Sequence, residues 1–119
     1  MLYLASAIGD APVYIVHLST KEGLEEIRQA KKRGQKHIGV ETCPQYLLLT
    51  DDLYDDSSEG LKVVMAPPLR SQQIMRHYGC GLKNNEIDTV ATDHCPFTFK
   101  RQKQQGADDF TKCPSGARE

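Results

Sequence analysis

Three short apolar segments, separated by segments with helical periodicity, constrain the fold of this chain most strongly. Residues 12–18, 37–42 and 87–93 are rich in β-branched side chains and are bounded by residues that break regular structure, which is typical of buried strands. Between them, apolar residues recur every three or four positions over 21–33 and 71–83, which predicts two amphipathic helices. Strands that alternate with helices pair in parallel through right-handed crossovers. We therefore predict an α/β segment with a parallel sheet.

The predicted helices also carry signals at their ends. Ser19 and Thr20 precede the first helix and Ser71 precedes the second. Hydroxyl side chains at these positions cap helix N-termini by accepting a hydrogen bond from a free backbone N–H group. Gly34 follows the first helix and fits a C-terminal stop, because glycine adopts the left-handed conformation that ends many helices.

The remaining segments are predicted to be shorter or irregular. Residues 45–50 form a Leu-rich turn of helix, 51–60 an acidic surface excursion, and 61–65 an extended segment that ends at two prolines. After residue 96 we expect loops. Three strands alone leave both edges of a sheet unpaired, and unpaired edges favour aggregation. The pattern therefore favours a single unit, 1–119, that is a piece of a larger barrel.

The charge balance argues against several classes of partner. Fifteen basic and sixteen acidic residues among 119 leave a formal net charge of −1, so nucleic acid and anionic membrane surfaces are not expected as partners. No apolar run approaches the roughly 20 residues that span a bilayer, and no basic leader precedes the apolar N-terminus. The four cysteines contain no CxxC pair, which predicts free thiols in a reducing, cytoplasmic compartment.

His17 and Asp93 stand at or near the carboxyl ends of the first and third predicted strands. In a barrel of alternating strands and helices these ends face the active site, and polar residues there tend to be catalytic or metal-binding. A neutral imidazole is a good zinc ligand. A carboxylate after an apolar run is costly to bury unless it is paired or bound to a metal. An ordinary core or surface histidine remains an alternative for His17, and Asp93 carries the same ambiguity.

Other polar groups in the same segments are interpreted as structural. His94 adjoins Asp93 and would point to the opposite face of a continuing strand, so we interpret it as supporting structure. Cys43 and Cys95 are interpreted as small buried apolar residues, since no activating base is adjacent in sequence. The acidic residues within 51–60 lack the ligand order and central glycine of a calcium loop and are interpreted as a solvated turn.

Five segments together carry a pattern that is more specific than any one of them. They are Val-Tyr-Ile-Val-His-Leu-Ser at 13–19, Gly-Val-Glu-Thr-Cys-Pro-Gln-Tyr-Leu at 39–47, Val-Met-Ala-Pro-Pro-Leu-Arg at 64–70, Ala-Thr-Asp-His-Cys-Pro-Phe at 91–97 and Asp-Phe-Thr-Lys-Cys-Pro-Ser-Gly at 109–116. In order and spacing this pattern resembles the dihydropyrimidinase/hydantoinase branch of the amidohydrolase superfamily, and it covers nearly the whole chain. Gln45 favours that branch over the allantoinases, which more often have His there.

The resemblance implies a (β/α)8 TIM-like barrel, of which this chain would be the C-terminal part, about strands six to eight. It implies that His17 is the histidine ligand that closes strand six. It implies that Asp93, at the end of strand eight, binds one of two zinc ions and passes a proton from the bridging hydroxide to the leaving nitrogen. It also implies ring binding at Ala66 and Ser115, largely through backbone groups, where the family usually has Ser and Asn.

The implied activity is hydrolysis of the C–N amide bond of a dihydropyrimidine or hydantoin ring by a homotetrameric enzyme. The substrate would be a small cyclic amide or ureide. The other metal ligands of the family lie on strands one, four and five, so we expect a partial barrel that is inactive alone. Two alternatives stay open. One is a non-catalytic dihydropyrimidinase-like structural or assembly protein. Retention of His17 and Asp93 argues against it. The other is an allantoinase- or dihydroorotase-type relative.

Overall fold

The computed structural model describes residues 1–56 and 59–116. Its regular elements alternate along the chain as the sequence predicts, with one further helix near residue 1. The α-helices and strands are α1 Leu2–Ala7, β1 Val13–Ile15, α2 Lys21–Lys32, β2 Ile38–Thr42, α3 Pro44–Leu48, α4 Gln72–Lys83 and β3 Thr89–Val90. Short 3-10 helices occupy Asp51–Asp55, Gly60–Val63, Lys103–Gly106 and Phe110–Lys112.

In the described part of the chain, three strands form one parallel sheet in the order β1-β2-β3. β1 pairs with β2 from Val13 opposite Ile38, and β3 pairs with β2 from Thr89 opposite Glu41. The prediction of a parallel α/β arrangement is confirmed. Because the strands run in the same direction, their carboxyl ends all lie at one edge of the sheet.

The first and third strands are shorter than predicted, for local reasons. Beyond β1 and β3 the backbone enters the left-handed region, with φ 37° at His17 and 47° at Asp93, which is incompatible with an extended strand. Ahead of β3, the Asp88 side chain takes a position in the ladder. The Val40 N–H donates to Asp88 Oδ2 at 2.8 Å, and the Asp88 N–H donates to the Val40 carbonyl at 2.8 Å.

Helix α2 follows its sequence signals closely. Thr20 caps it, since Oγ1 accepts a hydrogen bond from the Gly23 N–H at 3.1 Å. Gly34, with φ 100°, lies just past its C-terminus as predicted. The apolar stripe of the helix faces the sheet and α4. The resulting core contains Leu18, Leu24, Ile27, Ala30, Ile38, Val40, Tyr78 and Ile87.

Helix α4 also contributes to that core. Tyr78 is buried in it, and Ile74 packs against it. Ser71 occupies the N-cap position, but among the described residues its side chain forms no capping hydrogen bond, so the prediction of a hydroxyl cap is wrong. A bidentate ion pair joins α2 to the segment that follows α4. Arg28 Nε and Nη2 donate to Glu86 Oε1 and Oε2 at 2.7 and 2.6 Å.

The segment predicted as extended over 61–65 is different in the structure. Gly60–Val63 forms a 3-10 helix, so this prediction is wrong. An apolar run of about five residues is too short for periodicity to separate an extended from a helical conformation. The turn begins where the Gly60 N–H donates to the Asp56 carbonyl at 2.8 Å.

Two further differences lie in the peripheral segments. Helix α1 was not predicted, and its only buried residue is Ala5, so its sequence carries no clear amphipathic pattern. The predicted excursion over 51–60 contains the 3-10 helix Asp51–Asp55, while its positions 57 and 58 lie outside the described residues. No helix among the described residues is long and apolar enough to cross a bilayer.

The face of the sheet opposite the helices carries an aromatic contact on a glycine. The Tyr14 ring lies over Gly39, where an added Cβ would come within 2.5 Å of ring carbon Cδ2. The Tyr14 hydroxyl donates to Glu41 Oε2 at 2.9 Å, and the side chain remains 52% exposed. Gly39 therefore permits a cross-strand contact that any larger residue would displace.

Candidate functional site

His17 and Asp93 follow the carboxyl ends of the two outer strands. β1 ends at Ile15 and β3 at Val90, and both strands pair in parallel with β2, which lies between them. The two side chains therefore flank the same edge of one sheet, as the sequence predicted. This edge is where barrel and open α/β enzymes place their catalytic groups. The roles of His17 and Asp93 as ligands stay predictions.

Both residues have an unusual backbone conformation. Four described non-glycine residues have positive φ, and two of the four are His17 and Asp93; the others are Asp10 and Asn85. The left-handed conformation costs an L-residue roughly 1–2 kcal/mol. Such strain persists where the surrounding structure holds the residue, and it clusters at functional sites. The sequence gives only a weak signal for this, because Asp and His are among the types enriched in this region.

Thr42, which sequence reasoning missed, connects both flanks of this edge. The Leu18 N–H donates to the Glu41 carbonyl at 2.8 Å, and Thr42 Oγ1 donates to the Leu18 carbonyl at 2.8 Å. On the other side, the Ala91 N–H donates to the Thr42 carbonyl at 3.0 Å. Thr42 is fully buried. One residue of the central strand thus holds the backbone directly after His17 and the backbone two residues before Asp93.

Cys43 directly precedes α3, and the charge of the Asp93 carboxylate acts on its thiol. Burial raises the pKa of the Cys43 thiol to about 11, and the negative charges of Asp93 and Glu41 add to the effect. Burial also raises the pKa of Tyr46, with Cys43 and Asp93 contributing. Cys43 is therefore a neutral thiol near pH 7, as its interpretation as a buried apolar residue requires. The Tyr46 hydroxyl donates to the Pro67 carbonyl at 2.8 Å, which joins α3 to the following segment.

The interpretations of His94 and Cys95 need correction. Both residues are exposed. β3 ends at Val90, so His94 is not part of a continuing strand and the argument from alternating faces does not apply to it. Cys95 is not a small buried residue for the same reason, because the chain after Asp93 leaves the sheet. All four cysteines are free thiols.

The two predicted substrate-binding residues contact each other. The Ala66 N–H donates to Ser115 Oγ at 2.6 Å, and both residues are exposed. They line a cavity of about 940 Å³, within the range of small-molecule sites. The described residues that line this cavity do not include His17 or Asp93. The structure thus contains two separate pairs. Ala66 contacts Ser115, and His17 lies at the same sheet edge as Asp93.

The described residues supply only part of the donor set for a metal. A catalytic zinc ion takes about three protein ligands together with a water or substrate. Among the described residues, no group of three or more His, Cys, Asp or Glu side chains is placed to hold a metal ion. An imidazole and a carboxylate are suitable zinc donors, but two donors alone do not make the expected site. No catalytic step is therefore assigned to these residues alone.

Comparison with known proteins gives a consistent result. No protein-family model matches the chain. The D-phenylhydantoinase of Escherichia coli O81 (strain ED1a) is 45% identical over 116 residues, which are 98% of this chain and 25% of the relative. The D-phenylhydantoinase of Escherichia coli strain K12/DH10B matches to the same extent. The chain thus spans about a quarter of the length of these relatives.

Solved structures give the same picture at the level of the fold. D-hydantoinase from Bacillus sp. AR9 superposes with a TM-score of 0.90 at 39% identity, and dihydropyrimidinase from Brevibacillus agri NCHU1002 with 0.89 at 41%. L-hydantoinase from Arthrobacter aurescens superposes with 0.84 at 32% identity. Each match covers 98% of this chain and 25% of the other. The resemblance to the dihydropyrimidinase/hydantoinase family is confirmed over the length of this chain.

Proposed function

We propose that this chain, which matches a quarter of a hydantoinase in sequence and fold, is a segment of the catalytic barrel of a cyclic amidohydrolase, about strands six to eight. The observation that supports this most is the position of His17 and Asp93. They flank one edge of a parallel sheet, each in a left-handed backbone conformation, and they follow within two or three residues the ends of the strands on either side of β2. Catalytic groups of barrel enzymes occupy that edge.

The proposed reaction is hydrolysis of the C–N amide bond of a dihydropyrimidine or hydantoin ring. His17 and Asp93 are proposed as metal ligands that act with further ligands from the rest of such a protein. The chemistry that bound zinc supplies is a water of lowered pKa and a polarised ring carbonyl. Asp93 is proposed as the carboxylate that takes a proton from the attacking water and delivers it to the leaving nitrogen. The 119-residue chain alone is proposed to be inactive.

The proposed substrate-binding segments are those that carry Ala66 and Ser115. The cavity that they line also has apolar walls, to which Leu61, Met65 and Phe110 contribute. An apolar wall suits the aromatic or aliphatic substituent of a cyclic ureide. The Escherichia coli relative is a D-phenylhydantoinase, and we extend that substrate class to this chain. From the family resemblance, the complete protein is proposed to be a cytoplasmic homotetramer.

A hybrid enzyme tests this function directly. In it, the chain replaces the segment of Escherichia coli D-phenylhydantoinase that it matches. We expect the hybrid enzyme to bind zinc, measured by elemental analysis, and to open the hydantoin ring, measured as loss of ring absorbance. A folded hybrid enzyme that binds zinc and has no ring-opening activity on either hydantoins or dihydropyrimidines would contradict the proposal.

Variants of the hybrid enzyme separate the proposed roles. His17→Ala should lower the zinc content. Asp93→Asn should leave the fold intact and abolish turnover, because an amide cannot accept the proton. Asp108→Asn is the matched control, since Asp108 is an exposed carboxylate on a different segment, and it should retain turnover. Near-normal turnover by Asp93→Asn would exclude Asp93 as the base.

A further inference from the structure

Lys103 is fully buried, which is rare for a lysine. It begins the 3-10 helix Lys103–Gly106, in a region that the sequence predicted to be loop. An ammonium group removed from water is stable only if its hydrogen-bonding capacity is met inside the protein. Burial lowers the pKa of Lys103, and the neighbouring Cys113 and Cys95 act in the opposite direction.

The hydrogen bonds of the Lys103 ammonium go to two segments that are distant in sequence. Nζ donates to the Val64 carbonyl at 2.5 Å and to the Pro114 carbonyl at 2.7 Å. Its charge also lies 5.8 Å from the centroid of the Phe97 ring, within the range of a cation–π contact. Both acceptors are main-chain atoms, so the lysine fixes backbone rather than another side chain.

Those two carbonyls belong to the segments proposed to bind the ring. Val64 lies two residues before Ala66, and Pro114 directly precedes Ser115. The same segments are joined directly, because the Gly116 N–H donates to the Val64 carbonyl at 3.2 Å and the Ala66 N–H donates to Ser115 Oγ. Lys103 therefore bonds to the backbone close to both members of the Ala66–Ser115 pair, two residues before Ala66 and one residue before Ser115.

We infer that Lys103 is a positioning residue that holds segments 64–66 and 114–116 together and so sets the affinity for the ring substrate. The inference rests on the proposed function, because it takes Ala66 and Ser115 as substrate-binding residues. What it adds is that Lys103 fixes the distance between the two segments. Hydrogen bonds from a charged donor are stronger than those from a neutral one, so a single ammonium can maintain the spacing of two irregular segments.

The first experiment measures this spacing without using activity. Hydrogen-exchange mass spectrometry on the folded hybrid enzyme compares Lys103→Met, which keeps the length of the side chain without its charge, with Lys100→Met at an exposed neighbouring lysine. The rate of exchange in the peptides that contain 64–66 and 114–116 should rise by about tenfold or more in Lys103→Met. Loss of one hydrogen bond from a charged donor corresponds to a ratio of that size. Exchange in both peptides that matches the unsubstituted protein would overturn the inference.

The second experiment uses kinetics to distinguish positioning from general destabilisation. Lys103→Met should raise KM for the hydantoin by about tenfold, with zinc content and kcat nearly unchanged, because His17 and Asp93 lie at the sheet edge. Lys100→Met should change neither constant. A loss of kcat at unchanged KM would overturn the inference.

A third variant covers the case in which Lys103→Met does not fold. Lys103→Gln keeps a polar side chain but removes the charged donor, so the same pattern of raised KM with preserved kcat is then expected from it; a KM equal to that of the unsubstituted protein would overturn the inference. A folded, unsubstituted hybrid enzyme without turnover refutes the proposed function instead. In that case the exchange comparison still decides whether Lys103 holds the two segments.

Discussion

Replacing Thr42 by Val tests whether one buried hydroxyl aligns the sheet edge that carries His17. Val has almost the shape of Thr but lacks the hydroxyl, so Thr42→Val removes the 2.8 Å hydrogen bond to the Leu18 carbonyl. Thr42 is fully buried and Leu18 nearly so, and a buried acceptor left without its donor costs about 1–3 kcal/mol. Thr42→Ser is the matched variant. It keeps the hydroxyl and loses one methyl group, at about 1 kcal/mol.

The two variants are thus destabilised by comparable amounts. They differ in whether a hydroxyl at position 42 can bond to the Leu18 carbonyl, directly after His17. We expect Thr42→Val to lower kcat of the hybrid enzyme by about 10- to 100-fold, the order of effect that a misplacement of about 1 Å produces. Thr42→Ser should stay within a few-fold of the unsubstituted protein. Both variants are assayed well below the midpoints of their thermal unfolding, which are measured by circular dichroism. Equal loss in the two variants would show that Thr42 contributes only to stability, and normal turnover in Thr42→Val would refute the alignment argument.

Three further predictions concern stability and reactivity of the 119-residue chain. Leu24→Ala, in the centre of the core, should lower the free energy of unfolding by about 2–5 kcal/mol in urea denaturation. Leu48→Ala, at a 75% exposed position, should change it by about 0.5 kcal/mol or less. Similar losses in the two variants would contradict the core assignment. Cys43 should resist alkylation at pH 8 while the exposed cysteines react. Because its folded-state pKa is raised, the folded state holds the extra proton between pH 9 and about 11, and stability should fall as pH rises through that window. The pairing with Arg28 lowers the pKa of Glu86, so its contribution is present above pH 4.5 and is lost as pH falls below it; Glu86→Gln should make acid denaturation curves flatter there, and an unchanged slope would contradict the ion pair.

Periodicity predicted both long helices because each buries one regular face, and apolar runs that alternate with these helices predicted the parallel sheet. The stripe of Leu24, Ile27 and Ala30 and the cap at Thr20 are local features, and local features are readable from sequence. The same method failed at Gly60–Val63, where the apolar run is too short to have a period. It also failed at His94, because the strand before it ends earlier than its composition suggests.

The candidate site was predictable only in part. His17 and Asp93 were found from their places after apolar runs, and their common sheet edge followed from the parallel topology. Thr42 and Lys103 were missed because their roles come from contacts across the chain: Thr42 bonds 24 residues back to Leu18, and Lys103 bonds 39 residues back to Val64. No pattern of neighbouring residues encodes such contacts, and a lysine in a polar stretch reads as solvated.

The left-handed backbone at His17 and Asp93 determines which residues would be favoured at these positions if selection acted on stability alone. Glycine adopts φ 37° and 47° without the penalty that a side chain imposes, so substitution by glycine would relieve strain while deleting a proposed ligand. Under mutational drift without catalysis, both positions should therefore move toward glycine or asparagine. If both residues are the proposed ligands, their present identities reflect a demand on side-chain chemistry that folding itself does not make, and a library selected only for heat resistance should lose them.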